Sequence, residues 1–327
     1  MAAGPSFDMP IRQYPSRSYS RREFGTLALA GLGGAACARR PDSRIQGVQI
    51  GAISYSFRGV PNLTLDTLIA AMTDIGLSEV ELMSTHAEAG AGAALADPSA
   101  YEPGGTAPTA APGLGGGDAA INRWRRSVSP DAFGQVRRRF ADAGIDLRLL
   151  CFNMSDQMTD EEFDYAFRMA RGLGARAITT SAPLSVATRI ASFADRHEMP
   201  VAFHNSGSVG TPDTIATPES YVECLTLSPY HRVNLDIGNL TAAGFDAVAF
   251  LTEHHARVTN LHLKDRLGPS GKGLNVPWGQ GDTPLRPILQ LLKTRQWDIP
   301  ANIEFEYEGD TVTEMKTCLR FCRDALA

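Results

Sequence analysis

Four residues in the second half of the chain carry side chains that bind metal ions, and they recur at intervals of similar length. The intervals are 32, 26 and 42 residues, and the residues are His204, Asp236, His262 and Glu304. Each interval has room for one strand and one helix, so neighbouring strands could bring one ligand each to a common point. Two imidazoles and two carboxylates suit Mn²⁺, Co²⁺, Zn²⁺ or Fe²⁺. We expect a metal site here, the alternative being unrelated polar groups at strand ends.

The elements that must position these residues alternate regularly from residue 48 to the end of the chain. Eight strand-like runs are each followed by a helix-like run, which predicts an α/β fold of the (β/α)₈ TIM-barrel type. The predicted strands are 48–57, 79–83, 146–154, 176–181, 200–207, 231–239, 258–266 and 300–309. An open doubly wound sheet would usually bring a Gly-rich phosphate turn after the first strand, and SYSFRGVPN (54–62) is not one.

One segment interrupts the alternation. Residues 87–120 are rich in Gly, Ala and Pro and contain almost no large apolar side chains. Such a segment cannot bury enough surface to fold alone. We expect a long flexible insertion after the second strand, on the catalytic face of the barrel, serving either as a lid or as a plain loop.

Composition limits the classes of function. The chain has 43% hydrophobic and 20% charged residues, which is ordinary for a globular protein. A net charge of −5 gives no basic footprint for nucleic acid. Five cysteines include no C-x-x-C pair, so the sequence indicates neither a zinc ribbon nor a disulfide framework.

The N-terminal segment, residues 1–40, is expected to lie outside the barrel domain at 41–327. Arg21 and Arg22 precede Phe24 and a short apolar run at 26–36, which resembles a twin-arginine export signal. The expected partner is therefore the twin-arginine export machinery, and the expected location is the periplasm. GAAC, ending at Cys37, is a weak lipoprotein box that leaves a lipid anchor at Cys37 open.

The barrel motifs resemble a known superfamily. HLKD (262–265), LDIGN (235–239), HN (204–205) and IEFEYEG (303–309) are similar to the xylose isomerase-like sugar phosphate isomerase/epimerase superfamily, over roughly residues 48–327. The resemblance implies that Asp236, His262 and Glu304 are metal ligands. This chain departs from the family pattern at His204, which stands at the usual glutamate position, so a simple 3-epimerase with two facing glutamates is in doubt.

The chemistry implied by this resemblance is proton abstraction next to a carbonyl, assisted by a metal that acts as a Lewis acid. The candidate bases are Glu304, Glu306 and Glu81. Glu304 and Glu306 share one face of the last strand, so spacing alone does not decide which is the ligand. Lys264 could donate to a substrate oxygen or form an ion pair with Asp265 or Glu306.

The expected substrate is a small-molecule carbohydrate, a free sugar or sugar derivative, because the chain is expected outside the cytoplasm and shows no phosphate cradle. The candidate substrate-binding residues are Asn205, Asn239, Asp265, Trp124 and Trp278. The two tryptophans could instead pack in the core, and Asp265 could hold Lys264. Alternatives to an isomerase or epimerase are a 3-keto-glycoside lyase or hydrolase that releases an aglycone by β-elimination, and a non-catalytic sugar-binding barrel. A nuclease on the same fold is disfavoured by the acidic charge.

Overall fold

Parallel strands close into a barrel in the computed structural model, which describes residues 40–94 and 119–327. Nine strands follow one another in sequence order, and β2 pairs with β9 to close the barrel. Among the nine strands of the described residues only β1 pairs antiparallel, with β2, so β2 to β9 are the eight strands of a (β/α)₈ barrel, as predicted. The strands are β1 (Arg44–Ile45), β2 (Val48–Ile53), β3 (Glu79–Met83), β4 (Asp146–Cys151), β5 (Ala177–Thr180), β6 (Val201–His204), β7 (His231–Asp236), β8 (Val258–Leu263) and β9 (Ala301–Ile303).

Helices surround the barrel, and several begin and end at residues whose side chains or backbone favour a boundary. Thr159 and Glu162 form a capping box at one helix start, as the T-x-x-E pattern predicts, and Gly174 ends that helix in the left-handed conformation. The helices are α1 (Leu65–Ile75), α2 (Ser84–Gly90), α3 (Ala119–Ser127), α4 (Pro130–Asp142), α5 (Asp160–Leu173), α6 (Leu184–His197), α7 (Pro218–Thr226), α8 (Ile237–Ala242), α9 (Ala247–His254), α10 (Leu285–Arg295) and α11 (Thr311–Leu326).

The barrel interior is polar, whereas the layer between strands and helices is apolar. Along β3, Val80 and Leu82 join the large hydrophobic core, while Glu79 and Glu81 alternate with them and are fully buried. Glu81 contacts His262 on β8, a strand that is not its neighbour in the sheet, so both side chains point into the barrel. The interior polar groups therefore form a column leading to the carboxyl ends of the strands.

Seven of the eight predicted strands are shorter in the structure than in the sequence pattern, and only β3 keeps its predicted bounds. After β2 the chain turns into a 3₁₀ helix at Ser54–Phe57, and after β7 it enters α8 because the Asp236 side chain accepts the backbone N–H of Asn239. The last strand ends at Ile303, so Glu304 and Glu306 lie beyond it.

The predicted flexible insertion at 87–120 differs from the structure at both of its ends. Residues 87–90 belong to α2 and residues 119–120 to α3. These ends are ordered because Glu88 is buried and receives hydrogen bonds from Arg125 and from the Tyr165 hydroxyl. The middle of the insertion, residues 95–118, lies outside the described residues. So do residues 1–39 of the predicted export-signal segment, which include Cys37. Among the described helices, none is long and apolar enough to cross a membrane.

Candidate metal centre and active site

The four predicted metal ligands meet at the carboxyl end of the barrel. His204 and Asp236 end β6 and β7, His262 is the next-to-last residue of β8, and Glu304 follows β9. Each offers one nitrogen or oxygen, and these four atoms all lie within 4.8 Å of one another. Such a cluster of nitrogen and oxygen donors has the composition of a divalent transition-metal site.

Sheet register aligns Asp236 with His262, and side-chain contacts bring His204 and Glu304 to the same point. Asp236 pairs with His262 across β7 and β8, and His204 pairs with Asn234 across β6 and β7. His204 Nε2 lies 3.2 Å from Asp236 Oδ2 and 4.0 Å from Glu304 Oε2. The histidine at the position where the family usually has glutamate therefore reaches the cluster.

A carboxylate beneath the cluster orients His262. His262 Nε2 lies 2.7 Å from Glu81 Oε2, and Glu81 also receives hydrogen bonds from Asn260, Asn302 and the Thr179 hydroxyl. Burial alone would raise the pKa of Glu81, but His262 and these hydrogen bonds lower it. A carboxylate that accepts the Nε2 proton leaves the other ring nitrogen, Nδ1, for a metal.

That second nitrogen has no hydrogen-bond partner among the described residues, although it is buried. His262 Nδ1 lies 3.2 Å from Glu304 Oε2, too poorly aligned for a hydrogen bond. A buried nitrogen without a partner is costly unless a ligand uses it. The orphaned atom therefore fits the donor set of a metal centre.

Lys264 lies among the acidic groups of this centre. Its Nζ is 2.7 Å from Asp236 Oδ2, 2.9 Å from Glu304 Oε2 and 2.7 Å from Glu306 Oε2. Burial would lower the pKa of Lys264, yet the three carboxylates hold it well above its usual value. Conversely, Lys264 and then His262 hold the pKa of Glu304 well below its usual value against the effect of burial. The cluster is therefore ionised, with an ammonium partly neutralising its carboxylates.

Glu306 differs from Glu304 in its surroundings. It is not one of the four clustered donors, its side chain is 21% exposed, and it lines the cavity above the cluster. Besides Lys264, it accepts a hydrogen bond from Asn275 Nδ2 at 3.4 Å. The structure thus separates two carboxylates that the spacing could not: Glu304 joins the cluster and Glu306 faces the cavity.

The cavity above the cluster is open to solvent and has a mixed lining. Besides His204, His262, Glu304 and Glu306, it is lined by Ile53, Tyr55, Met83, Cys151, Asn153, Thr179, Thr180, Ser181 and Asn234. Of these, Ser181 contacts His204 directly, Oγ to Nδ1 at 3.3 Å. Ser181 and Tyr55 were not among the predicted site residues. Each lies within the last three residues of a predicted strand, 176–181 or 48–57, and that position was the available signal.

Several predicted site residues have structural partners instead of facing the cavity. Asn205 Oδ1 accepts hydrogen bonds from the Asp236 N–H and the Tyr221 hydroxyl, and Asn239 Nδ2 donates to the Asn205 carbonyl. Neither asparagine lines the cavity, and neither does Glu81. The amides hold the β6 and β7 ends together, and Glu81 acts through His262.

Asp265 and the two tryptophans also lie away from the cavity lining. Asp265 accepts hydrogen bonds from the backbone N–H groups of Gly279, Gly281 and Thr283, so it fixes the loop after β8. Within the described residues, Lys264 forms its ion pairs with Asp236, Glu304 and Glu306 and none with Asp265. Trp124 packs edge-on against Phe133. Trp278 packs likewise on Phe321. Both tryptophans therefore pack against other aromatic side chains, which was the alternative to substrate binding.

The fold and this cluster define a barrel of the xylose isomerase-like class. Residues 122–325 match the family model described as xylose isomerase-like TIM barrel, and the chain belongs to that family. No curated protein sequence matches the chain.

Solved structures similar to this chain share its barrel. They include a probable 3-DHS dehydratase involved in petrobactin synthesis from Bacillus anthracis, at 15% identity and a TM-score of 0.59, covering 84% of this chain and 98% of that one. The IOLI protein with a binding zinc atom matches at 15% identity and 0.58, covering 85% and 98%. An L-ribulose 3-epimerase matches at 11% identity and 0.56, covering 85% and 95%. At these identities the likeness is one of fold.

Proposed function

We propose that the chain is a divalent-metal-dependent isomerase or epimerase that acts on a free sugar or sugar derivative by proton abstraction next to a carbonyl. The observation that carries this proposal is the four-donor cluster of His204, Asp236, His262 and Glu304 at the base of an open cavity. A carboxylate and an ammonium, Glu306 and Lys264, stand beside the cluster.

The donors suit Mn²⁺, Co²⁺, Zn²⁺ or Fe²⁺, and the orphaned His262 Nδ1 supports an ion at this point. When bound, such an ion supplies Lewis-acid polarisation of the substrate carbonyl. The similar zinc-containing IOLI structure supports the same proposal without naming the metal of this chain.

Glu306 is the proposed base because it is the carboxylate that faces the cavity without belonging to the cluster. Its Oε2 would accept the proton from the carbon next to the carbonyl and return it from the same face to the neighbouring carbon, which isomerises the sugar. Epimerisation would need a second acid on the opposite face of the sugar to return a proton to the same carbon. Lys264 does not line the cavity, and its Nζ contacts Asp236, Glu304 and Glu306, so its proposed role is to hold Glu306 and the cluster in position.

The polar part of the lining supports a hydroxylated substrate. Asn153, Thr180, Ser181 and Asn234 present amide and hydroxyl groups to the cavity, alongside the apolar Ile53. Polar groups spaced around an apolar surface are typical of small-molecule sites.

Solvent-deuterium exchange tests the proposed reaction. Metal content is measured first, and the metal-loaded protein is then incubated with a panel of keto and aldo sugars in D₂O. Wild-type protein is expected to exchange the proton next to the carbonyl, and Glu306→Gln to exchange it at least about 100-fold more slowly. Glu308→Gln, a change at an exposed residue of the same loop, is the matched control. Bound metal without exchange into any sugar would contradict the proposal.

A lyase acting on 3-keto-glycosides remains the second proposal. Its first step is the same proton abstraction, and a leaving group on the next carbon would then depart, as water does in a dehydratase such as the similar Bacillus anthracis protein. The two reactions differ in product. Release of the aglycone from a 3-keto-glycoside favours the lyase, whereas exchange with the glycoside intact favours the epimerase.

Export is a separate proposal that rests on the N-terminal segment. Replacing Arg21 and Arg22 together by lysine is expected to keep the protein in the cytoplasm, measured by cell fractionation. Replacing Cys37 by alanine tests the lipid anchor: a labelled fatty acid incorporated by wild type and not by the variant would support it.

A further inference from the structure

A second buried carboxyl group lies deeper in the barrel than the metal centre. Glu79, the first residue of β3, is fully buried, and neither of its carboxyl oxygens has a hydrogen-bond partner among the described residues. Gly51 on β2 provides the space that it fills. A Cβ at Gly51 would stand 1.6 Å from Glu79 Oε2 and 2.6 Å from Asn302 Oδ1, so these two oxygens are neighbours.

The orientation of Asn302 is fixed by the polar column above it. Its Nδ2 donates to Glu81 Oε2 at 3.2 Å, which directs Oδ1 away from Glu81. Asn302 Oδ1 is likewise buried and has no partner in the described part of the chain. Two acceptor oxygens facing each other without a donor are unfavourable in a buried site. One proton on Glu79 would turn that carboxyl group into the missing donor.

The charges around Glu79 do not require it to be ionised. Arg148 is the cation that lowers the pKa of Glu79 most, but its guanidinium binds Asp298 at 2.8 Å, and no ion pair to Glu79 exists among the described residues. Burial raises the pKa of Glu79 well above its usual value. The carboxylates Glu81 and Asp146 raise it further, while Arg148 and the more distant Arg176 lower it.

We propose that Glu79 is a neutral carboxylic acid that donates its O–H to Asn302 Oδ1. This hydrogen bond fixes the orientation of Asn302, and through Asn302 and Glu81 it fixes that of His262. In that orientation His262 Nδ1 points at the metal centre. Asn302 donates to Glu81 Oε2, and the same oxygen lies 2.7 Å from His262 Nε2. Only the final link, from His262 to a metal, rests on the proposed function.

This assignment makes Glu79 a positioning residue and not a proton carrier. A side-chain amide such as that of Asn302 is a poor proton relay, so the chain transmits orientation. A neutral Glu79 also spares the barrel a second buried negative charge next to Glu81, which can then stay ionised and accept the His262 Nε2 proton.

Infrared spectroscopy tests the protonation state without any metal. A difference spectrum between wild type and Glu79→Gln at neutral pH is expected to show the carbonyl stretch of a neutral carboxylic acid, lost in the variant. Glu308→Gln, which alters an exposed carboxylate, is expected to leave that band in place. A difference spectrum that instead shows the loss of carboxylate bands would overturn the proposal.

Zinc affinity tests the link to His262. Gln at position 79 has an amide that can donate the same hydrogen bond, so Glu79→Gln is expected to retain zinc affinity. Glu79→Met removes the donor and is expected to weaken zinc affinity measurably, by less than the about 10–100-fold that follows loss of a direct partner of a ligating histidine. Equal affinity in the Met variant would overturn the link. Wild type without zinc affinity would count against the proposed function and leave the infrared result standing.

Discussion

Glu81 and His262, 181 residues apart in sequence and on non-adjacent strands, meet across the barrel with 2.7 Å between Oε2 and Nε2. This contact links the polar interior of the barrel to the cluster of metal-binding side chains. Because Glu81 does not line the cavity, it affects the site through His262.

Replacing Glu81 by glutamine is expected to weaken zinc binding about tenfold or more. The amide can still accept the Nε2 proton, but it lacks the charge that makes His262 a stronger ligand. Calorimetric titration with zinc measures the change. Glu308→Gln is the control, and an unchanged affinity in Glu81→Gln would argue against an orienting role.

Replacing Lys264 by methionine is expected to destabilise the metal-free protein by about 3–5 kcal/mol, because it leaves Asp236 and Glu304 buried without their cation. A bound divalent ion would again neutralise part of the charge of these two carboxylates. Added zinc should therefore raise the melting temperature of the variant more than that of wild type.

The control for that comparison is Lys316→Met. Lys316 pairs with Asp74 at 2.9 Å on the surface, and an exposed pair contributes less than about 1 kcal/mol. Equal zinc-induced shifts in wild type and Lys264→Met would show that Lys264 does not compensate the cluster.

Replacing Asp265 by alanine is expected to lower stability by about 3 kcal/mol without weakening zinc binding. Three backbone N–H groups in the loop at 279–283 lose their acceptor, and none of them belongs to the cluster. Urea unfolding and zinc titration provide the two measurements. Asp282→Ala, which removes one such bond to Gly268, should cost about 1 kcal/mol. A selective loss of sugar binding in Asp265→Ala would restore the substrate-binding prediction.

Stability is expected to fall as the pH drops from about 6.5 towards 4, in part because of His86. Burial lowers the pKa of His86 from 6.5 to about 4. In this window the unfolded chain binds a proton that the folded protein does not, so protonation favours unfolding. The full effect is about 3 kcal/mol, reached below the folded pKa and absent above 6.5.

Urea unfolding across that pH range, in wild type and His86→Asn, isolates this contribution. Asn can keep a hydrogen bond to Ser54, which lies 2.8 Å from His86 Nδ1, but it does not titrate. The variant should lose less stability than wild type on acidification. Burial also lowers the pKa of His231, so some pH dependence should persist in both proteins. Parallel pH curves would contradict the assignment to His86.

The barrel and the composition of the cluster were predictable because both follow from local periodicity. One ligand at each strand end, separated by one strand-helix unit, is visible without any knowledge of contacts. The separate positions of Glu304 and Glu306 were not predictable, since strand alternation puts both on one face. They diverge because β9 ends at Ile303 and the chain continues outside the sheet.

Sequence patterns could not predict which polar groups contact each other across the closed barrel. Asn205, Asn239 and Asp265 are polar residues at strand ends, as substrate-binding residues would be. Their hydrogen bonds go to backbone groups whose positions depend on the closed sheet and on the loop after β8. Glu81 is a similar case. Its role depends on its contact with His262, and only closure of the barrel brings these two residues together.

The two carboxylate oxygens of Asp236 have different partners. Oδ1 accepts the backbone N–H of Asn239 at the start of α8, while Oδ2 belongs to the group that contacts Lys264 and His204. Asparagine is as good as aspartate at the start of a helix but carries no charge. The variant Asp236→Asn is therefore expected to keep the helix start and the fold around the centre while it loses the capacity to bind a cation. If the proposed function is correct, such a folded variant would show whether substrate binding itself requires the ion.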